Sequence, residues 1–300
     1  MVQVRCDVVY EVTFNDSRSS HQFTPPQALL PTPELYDLMV GDTMENLATA
    51  SLELAPGVTS GAVVHDNGCG TGAATAAVMH LADRAGAQIT IEGTDVDAAA
   101  LTIYRNTAAA RGWPATASRM DSQHLSFADN TFTHSVANAL LFVLPGDGVS
   151  AVQEAHRCLQ PGGTLIVNSW YYVPNLAPVQ TAARVTRPAG TPVPRDGMDK
   201  WSDPDFLHDV VVRGGFTGDR VVLGQADVEV TTPELRRYAT MLWSFIGGTS
   251  ESGWLASDIE NWDAATGIVI DELRTTPGFR DLGDGRATLK FVANVAVATK

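Results

Sequence analysis

No apolar run in this 300-residue chain approaches the roughly 18 residues that a membrane-spanning helix requires, so no such span is expected. Cysteine is scarce. Cys6, Cys69 and Cys158 form no CxxC pair, and an odd trio without a signal-peptide pattern argues against a disulfide scaffold. The expectation is free thiols in a cytoplasmic setting. Positive charge is in the minority too: 20 Lys and Arg stand against 34 Asp and Glu, and the formal charge of −14 repels a phosphate backbone. Nucleic acid is therefore not expected as a partner. The acidic residues are spread along the chain and read as a solvated surface. Repeats and low-complexity tracts are missing, and the lone sequon at Asn15 carries little weight without secretion.

What is present is material for a core. Hydrophobic residues make up 44% of the chain, enough for one large domain or for a core plus a cap. From about residue 61, short β-rich runs alternate with helix-like runs, the pattern of a parallel sheet wrapped by helices. Strands are expected at 62–66, 88–94, 116–120, 132–137 and 164–170, with helices near 72–85, 96–111 and 147–159. Right-handed crossovers then place helices on both faces, a doubly wound α/β sheet.

After Trp170 the rhythm breaks. The segment "YYVPNLAPVQTAARVTRPAGTPVPRDG" holds five of the sixteen prolines and reads as a lid insertion at about 171–200. A helix capped by Ser202 or Asp203, a strand near 216–224, late helices within 232–276 and a closing strand follow. At the other end, Val2, Val4, Cys6, Val8, Tyr10, Val12 and Phe14 fall at every second position, which predicts a strand with one apolar face, open to pairing with its own sheet or with a second copy in a homodimer. Residues 25–56 read as helices. The chain thus divides into an N-terminal strand and cap helices, 1–56, and a core, 57–300.

The stretch "VVHDNGCGTGAATAAV", 63–78, sets Gly68, Gly70 and Gly72 between a β-branched run and an alanine-rich run. After the carboxyl end of a buried strand, such glycines allow a sharp turn, a close ligand approach and tight helix–strand packing. No lysine followed by Ser or Thr closes the turn, so a P-loop is excluded, and the GxGxG spacing is not that of a dinucleotide fold. The next strand ends in "GTDVD", where Asp95 is placed to accept hydrogen bonds from a ribose diol and Asp97 to cap a helix. In "MDSQHL" after the third strand, Asp121 and the backbone at Ser122 suit an adenine edge, and the same pair also suits a turn.

Together "VVHDNGCGTG", "GTDVD", "RMDSQHLSFADNTF", "SVANALLFVL" and "EAHRCLQPGGTLIVNSW" resemble the class I S-adenosylmethionine-dependent methyltransferases. More narrowly they are similar to the small-molecule branch of ubiquinone and menaquinone biosynthesis. The resemblance covers about residues 60–170. It implies a Rossmann-like, mostly parallel seven-stranded sheet with S-adenosyl-L-methionine as cofactor. Asp66, Gly68, Gly70 and Gly72 would line its methionine half, Asp95 would hold its ribose, Asp121 and Ser122 its adenine, and Val96 belongs to the same cofactor-binding set. Asn138 would stand beside the transferred methyl, and "LQPGG" would turn into the fifth strand. Two departures stand out. Thr133 replaces a customary carboxylate, and "NALL" at 138–141 replaces the Asp-Pro-Pro-Tyr type of motif used on nucleobase and glutamine nitrogens.

The sulfonium methyl is already activated, so the enzyme must chiefly position a nucleophile, and no triad is needed. Of seven histidines, His21 and His124 occupy loops within reach of the crevice and are the base candidates. Tyr36, Phe142, Trp170, Tyr171, Tyr172 and Trp243 are candidate walls for a hydrophobic or aromatic acceptor. Methyl transfer to O, N or C of a small metabolite, as in secondary metabolism, is the first reading. A cyclisation or pericyclic reaction on the same fold, and a non-catalytic partner subunit, are the alternatives. A nicotinamide oxidoreductase ranks below these for want of the third glycine at dinucleotide spacing.

Overall fold

The computed structural model describes residues 23–30, 32–197 and 199–300. The apolar alternation of residues 2–14 and the base candidate His21 lie outside the described residues.

The β-branched run after Gly61 forms β1 (Val63–Asn67), buried along most of its length. Beside it lie β2 (Thr90–Asp95), β3 (Ala115–Arg119), β4 (Phe132–Ala137) and β5 (Leu159–Tyr172), all parallel. Then come β6 (Val221–Thr231), the short β7 (Arg280–Gly283) and β8 (Arg286–Thr299). Their order is β3-β2-β1-β4-β5-β8-β6, with β8 antiparallel to both neighbours. The seven strands of this path make the expected mostly parallel, doubly wound α/β sheet. An eighth, β7, was not foreseen: it pairs only along β8 through a tight hairpin at Asp284 and Gly285. The "LQPGG" segment also differs from expectation, because it runs inside β5 across a register shift instead of forming a separate turn.

Among the described residues ten helices cover the sheet: α1 (Pro33–Val40), α2 (Thr43–Glu53), α3 (Ala73–Ala85), α4 (Ala98–Arg111), α5 (Val149–Cys158), α6 (Leu176–Thr186), α7 (Pro204–Arg213), α8 (Leu235–Ile246), α9 (Ser257–Glu260) and α10 (Trp262–Arg274). Their ends follow local chemistry. Asp97 accepts from Ala99 N and Ala100 N to cap α4, Asp203 caps α7, and Gly86 and Gly112 take the left-handed conformation after α3 and α4. Strand alternation divides the core. Val64, Ile91, Val136 and Ile166 pack with α2, α3, α6, α8 and α10, whereas Leu165, Val167 and Ala296 pack with α5 and α7.

The proline-rich segment expected as a lid holds α6, which buries Val179, Ala182 and Ala183. Just after it, Arg187 is fully buried and forms a two-point pair with Asp258, 2.9 Å at each contact. Its guanidinium also donates to Gly247 O and lies 5.2 Å from the Trp243 ring. The late helices and α6 are thereby locked into one body. At the far edge of the sheet, the Arg105 side chain reaches from α4 to bond Ala117 O of β3 through both Nε and Nη2.

Candidate active site

The carboxyl ends of β1, β2, β4 and β5, with the turn after β3, open on one cavity of about 1100 Å³. The three glycines shape its floor. Gly68, Gly70 and Gly72 have φ of 72°, 51° and 105°, a region that side-chain-bearing residues avoid. A Cβ on Gly70 would meet no protein atom within 4 Å, so bare peptide there faces open cavity. The loop is held from behind: Gly68 N and Cys69 N both donate to Thr94 O at 2.8 Å.

Asp95 ties this loop to β2, its carboxylate accepting from Gly70 N at 2.8 Å and Asp97 N at 2.9 Å. One bond per oxygen leaves lone pairs for a diol. Asp66 is buried and accepts from both N and Oγ1 of Thr75, at 3.0 and 2.7 Å. Burial raises its carboxyl to about 6 against those two hydrogen bonds. Its neighbour His65 is pushed down to about 3 by complete burial and stays neutral, bonded to Thr94 Oγ1 and stacked on Phe132. Asp121 accepts from Gln123 N at 2.9 Å, a turn-forming bond, and buried Ser122 follows it. The loop beyond is clamped by Arg157, which donates to Leu125 O and Phe127 O and pairs with Glu154.

At the other end, Asn138 spends its amide on structure. Its Nδ2 donates to Met44 O of α2 at 3.0 Å, and its Oδ1 accepts from Asn168 Nδ2 at 2.8 Å. Fully buried Asn168 also donates to Ser51 Oγ of α2 and accepts from Ala139 N at 2.7 Å, holding Ala139 at φ 56°. Sequence reasoning missed this bridge between β5, the turn after β4 and α2. An asparagine in the middle of a buried strand was its one signal.

All of Asp66, Gly68, Gly70, Gly72, Asp95, Val96, Asp121, Ser122 and Asn138 border the cavity. So do Tyr36, Phe142 and Trp170. The remaining aromatic candidates do not. Trp243 is fully buried beneath Arg187 and Trp254, Tyr171 points to solvent at 48% exposure, and Tyr172 sits beyond the cavity wall. A strand alternates its faces, so Trp170 and Tyr171 cannot share one wall. His124 lies in a shallow surface groove, 3.6 Å from Asp121 and outside the main cavity. Its loop turns it to water.

The chemistry of the lining tests which cofactor fits. Five carboxylates border the cavity, Glu45, Asp66, Asp95, Asp97 and Asp121, against one guanidinium, Arg111. Such a surface suits a cationic nucleoside and repels a diphosphate. No group of residues fit to hold a metal occurs among the described residues.

Comparison with known proteins agrees with this geometry. Residues 64–163 match the family described as a methyltransferase domain. The chain is 27% identical over 196 residues to methyltransferase ktnA of Aspergillus niger, an alignment covering 58% of this chain and 65% of that protein. It is 29% identical over 110 residues to methyltransferase tpcH of Aspergillus fumigatus, covering 36% and 39%. The chain therefore spans less than two thirds of either relative. The solved YcgJ protein of Bacillus subtilis superposes with a TM-score of 0.50 at 14% identity, over 86% of this chain and 97% of that one, a likeness of fold. Residues 64–163 thus carry a methyltransferase domain, and the glycine loop on β1, the acid at the tip of β2 and the antiparallel β8 between β5 and β6 make its setting similar to the class I S-adenosylmethionine-dependent methyltransferases.

Proposed function

We propose that the chain moves the methyl group of S-adenosylmethionine to oxygen, nitrogen or carbon of a small hydrophobic or aromatic metabolite. The observation that carries this is continuity. One cavity runs from the glycine loop to an apolar compartment walled by Tyr36, Met44, Leu140, Phe142 and Trp170. Cofactor and acceptor would share it.

The bound sulfonium supplies a methyl group that needs no further activation. The protein's part is placement. Asp95 accepts from the ribose hydroxyls with the lone pairs its two backbone bonds leave over, and Ser122 with the Asp121 turn meets the adenine edge. Gly70 lets the amino-acid tail lie against bare peptide. Asn138, its amide bound at both ends, holds the turn after β4 still at the transfer end. Apolar walls exclude water, and the gain is chiefly one of proximity and orientation. Among the described residues no histidine lines the cavity, which favours an acceptor that loses its proton late or to solvent.

The fungal relatives' small size of match leaves specialised metabolism as part of the proposal, along with a cytoplasmic location and a catalytic core beginning near residue 57. The −14 charge supports a metabolite over nucleic acid. Isothermal titration with S-adenosylhomocysteine, then a labelled-methyl screen over phenols, amines and quinone-like compounds, tests the reading. Micromolar binding and a product heavier by one CH₂ are expected. An isomeric product would mark a rearrangement catalyst instead, and no uptake of the nucleoside would overturn the proposal.

A further inference from the structure

The acidic lining is not uniform in its engagements. Asp66 is bonded to Thr75, Asp95 to Gly70 and Asp97, Asp97 to the first turn of α4, and Asp121 to Gln123. Each of these four sits at the tip of β1, β2 or β3, on the side given to the nucleoside. The fifth carboxylate, Glu45, differs on both counts. It comes from α2 in the cap, and among the described residues no hydrogen bond or ion pair holds it.

The backbone that carries it is nevertheless held in place. The preceding residue, Met44, offers its carbonyl to Asn138 Nδ2 at 3.0 Å, which pins the first turn of α2 to the tip of β4. Glu45 therefore borders the cavity at its acceptor end. Glu45 is itself exposed, and the described side chains that border the same cavity from α1, α2, the turn after β4 and β5, namely Tyr36, Val40, Met44, Phe142 and Trp170, are apolar or aromatic. Among the described residues the one guanidinium that borders the cavity, Arg111, lies elsewhere, on the last turn of α4 over the Trp113 ring at 5.1 Å. A negative charge in the first turn of a helix is favourable in itself. That accounts for an acid on α2, not for its bordering a largely apolar compartment that holds no counter-charge among the described residues.

From this we infer that Glu45 is a specificity-determining residue whose carboxylate receives the ammonium or N–H group of an apolar, amine-bearing acceptor, and that anionic acceptors are rejected. The inference rests on the methyltransferase reading of the same cavity. An acceptor carrying a carboxylate would meet Glu45 with no cation beside it, whereas an amine finds both a counter-charge and aromatic faces that favour a cation. Because Glu45 keeps contact with solvent, the preference is graded, not absolute.

Three indoles of one ring and different charge test it: tryptamine, skatole and indoleacetate, titrated calorimetrically into full-length protein saturated with S-adenosylhomocysteine. Tryptamine is expected to bind roughly fivefold or more tightly than indoleacetate, with skatole between them. Glu45→Gln should bring tryptamine and indoleacetate within about twofold of each other, and Glu45→Lys should reverse their order, while affinity for S-adenosylhomocysteine stays as in the parent. Indoleacetate binding as tightly as tryptamine, no heat from any of the three, or a ratio unmoved by Glu45→Gln would overturn the inference. Failure of the nucleoside itself to bind would instead overturn the methyltransferase reading, and the first titration separates the two.

Discussion

The two ends of the cavity are built in opposite ways. At the end proposed for the nucleoside, each lining residue lies within a few positions of a strand tip: Gly68 to Gly72 follow β1, Asp95 and Val96 close β2, and Asp121 and Ser122 follow β3. At the acceptor end the wall is assembled from α1, α2, the turn after β4 and the tip of β5, joined by hydrogen bonds between residues 94 and 117 positions apart. A local wall can keep its shape while distant parts of the protein change. An assembled wall depends on its joints, and the acceptor it admits can change when one joint moves.

This contrast is open to measurement. The largest effect should come from the joint farthest from the chemistry. Arg187→Met strands Asp258 in the interior, and a loss of about 3–5 kcal/mol is expected in urea unfolding. The double variant Arg187→Met, Asp258→Leu should recover most of it, and affinity of the folded fraction for S-adenosylhomocysteine should not move. Asn168→Ala comes next. It leaves Ala139 N and Asn138 Oδ1 without partners, for about 2–3 kcal/mol of stability. Turnover of an identified acceptor should fall while nucleoside affinity changes less than about twofold, the asymmetry that an assembled wall demands.

Asp95→Ala probes the local end. Loss of a charged acceptor should weaken S-adenosylhomocysteine by roughly tenfold to a hundredfold, read by calorimetry, with a smaller fall in melting temperature. The gentlest test uses pH. Asp66, raised from 3.8 to about 6, contributes stability that is complete below pH 4 and lost as pH climbs to 6. His65, lowered from 6.5 to about 3, contributes in the opposite sense, complete above 6.5 and lost as pH falls. Between pH 6.5 and 4 the two oppose each other. Asp66→Asn should therefore make the melting temperature fall more steeply with acidification than in the parent. An unchanged slope would show that the pair does not set stability there.

The same contrast governs what the sequence made readable. Glycine spacing, the acid after β2 and the Asp97 cap are local codes, and the order of strands and helices follows from periodicity. Asn138 borders the cavity, but the commitment of its amide to Met44 and Asn168 was invisible, because both partners come from elsewhere in the chain. Trp243 was misplaced for a related reason. Core and pocket wall both select large apolar side chains, and only tertiary packing under Arg187 separates them. Glu45 drew no notice, since a carboxylate in a helix's first turn is ordinary until the opposite wall is known. The proline count after Trp170 reads as a lid insertion, and the helix formed within it by "LAPVQTAARVT", α6, was not foreseen.

The reach of Arg105 to β3 has a consequence for how molecules of this protein behave toward one another. Met120 N bonds Asp95 O and Ile91 N bonds Pro114 O, so even-numbered backbone groups of β3 face β2 and odd-numbered ones face outward. Ala117 O is among the latter, and two guanidinium nitrogens already occupy it. A foreign strand sliding along this margin would find its central docking point taken and a bulky cation in its path, which protects concentrated solutions from sheet-to-sheet stacking at that border.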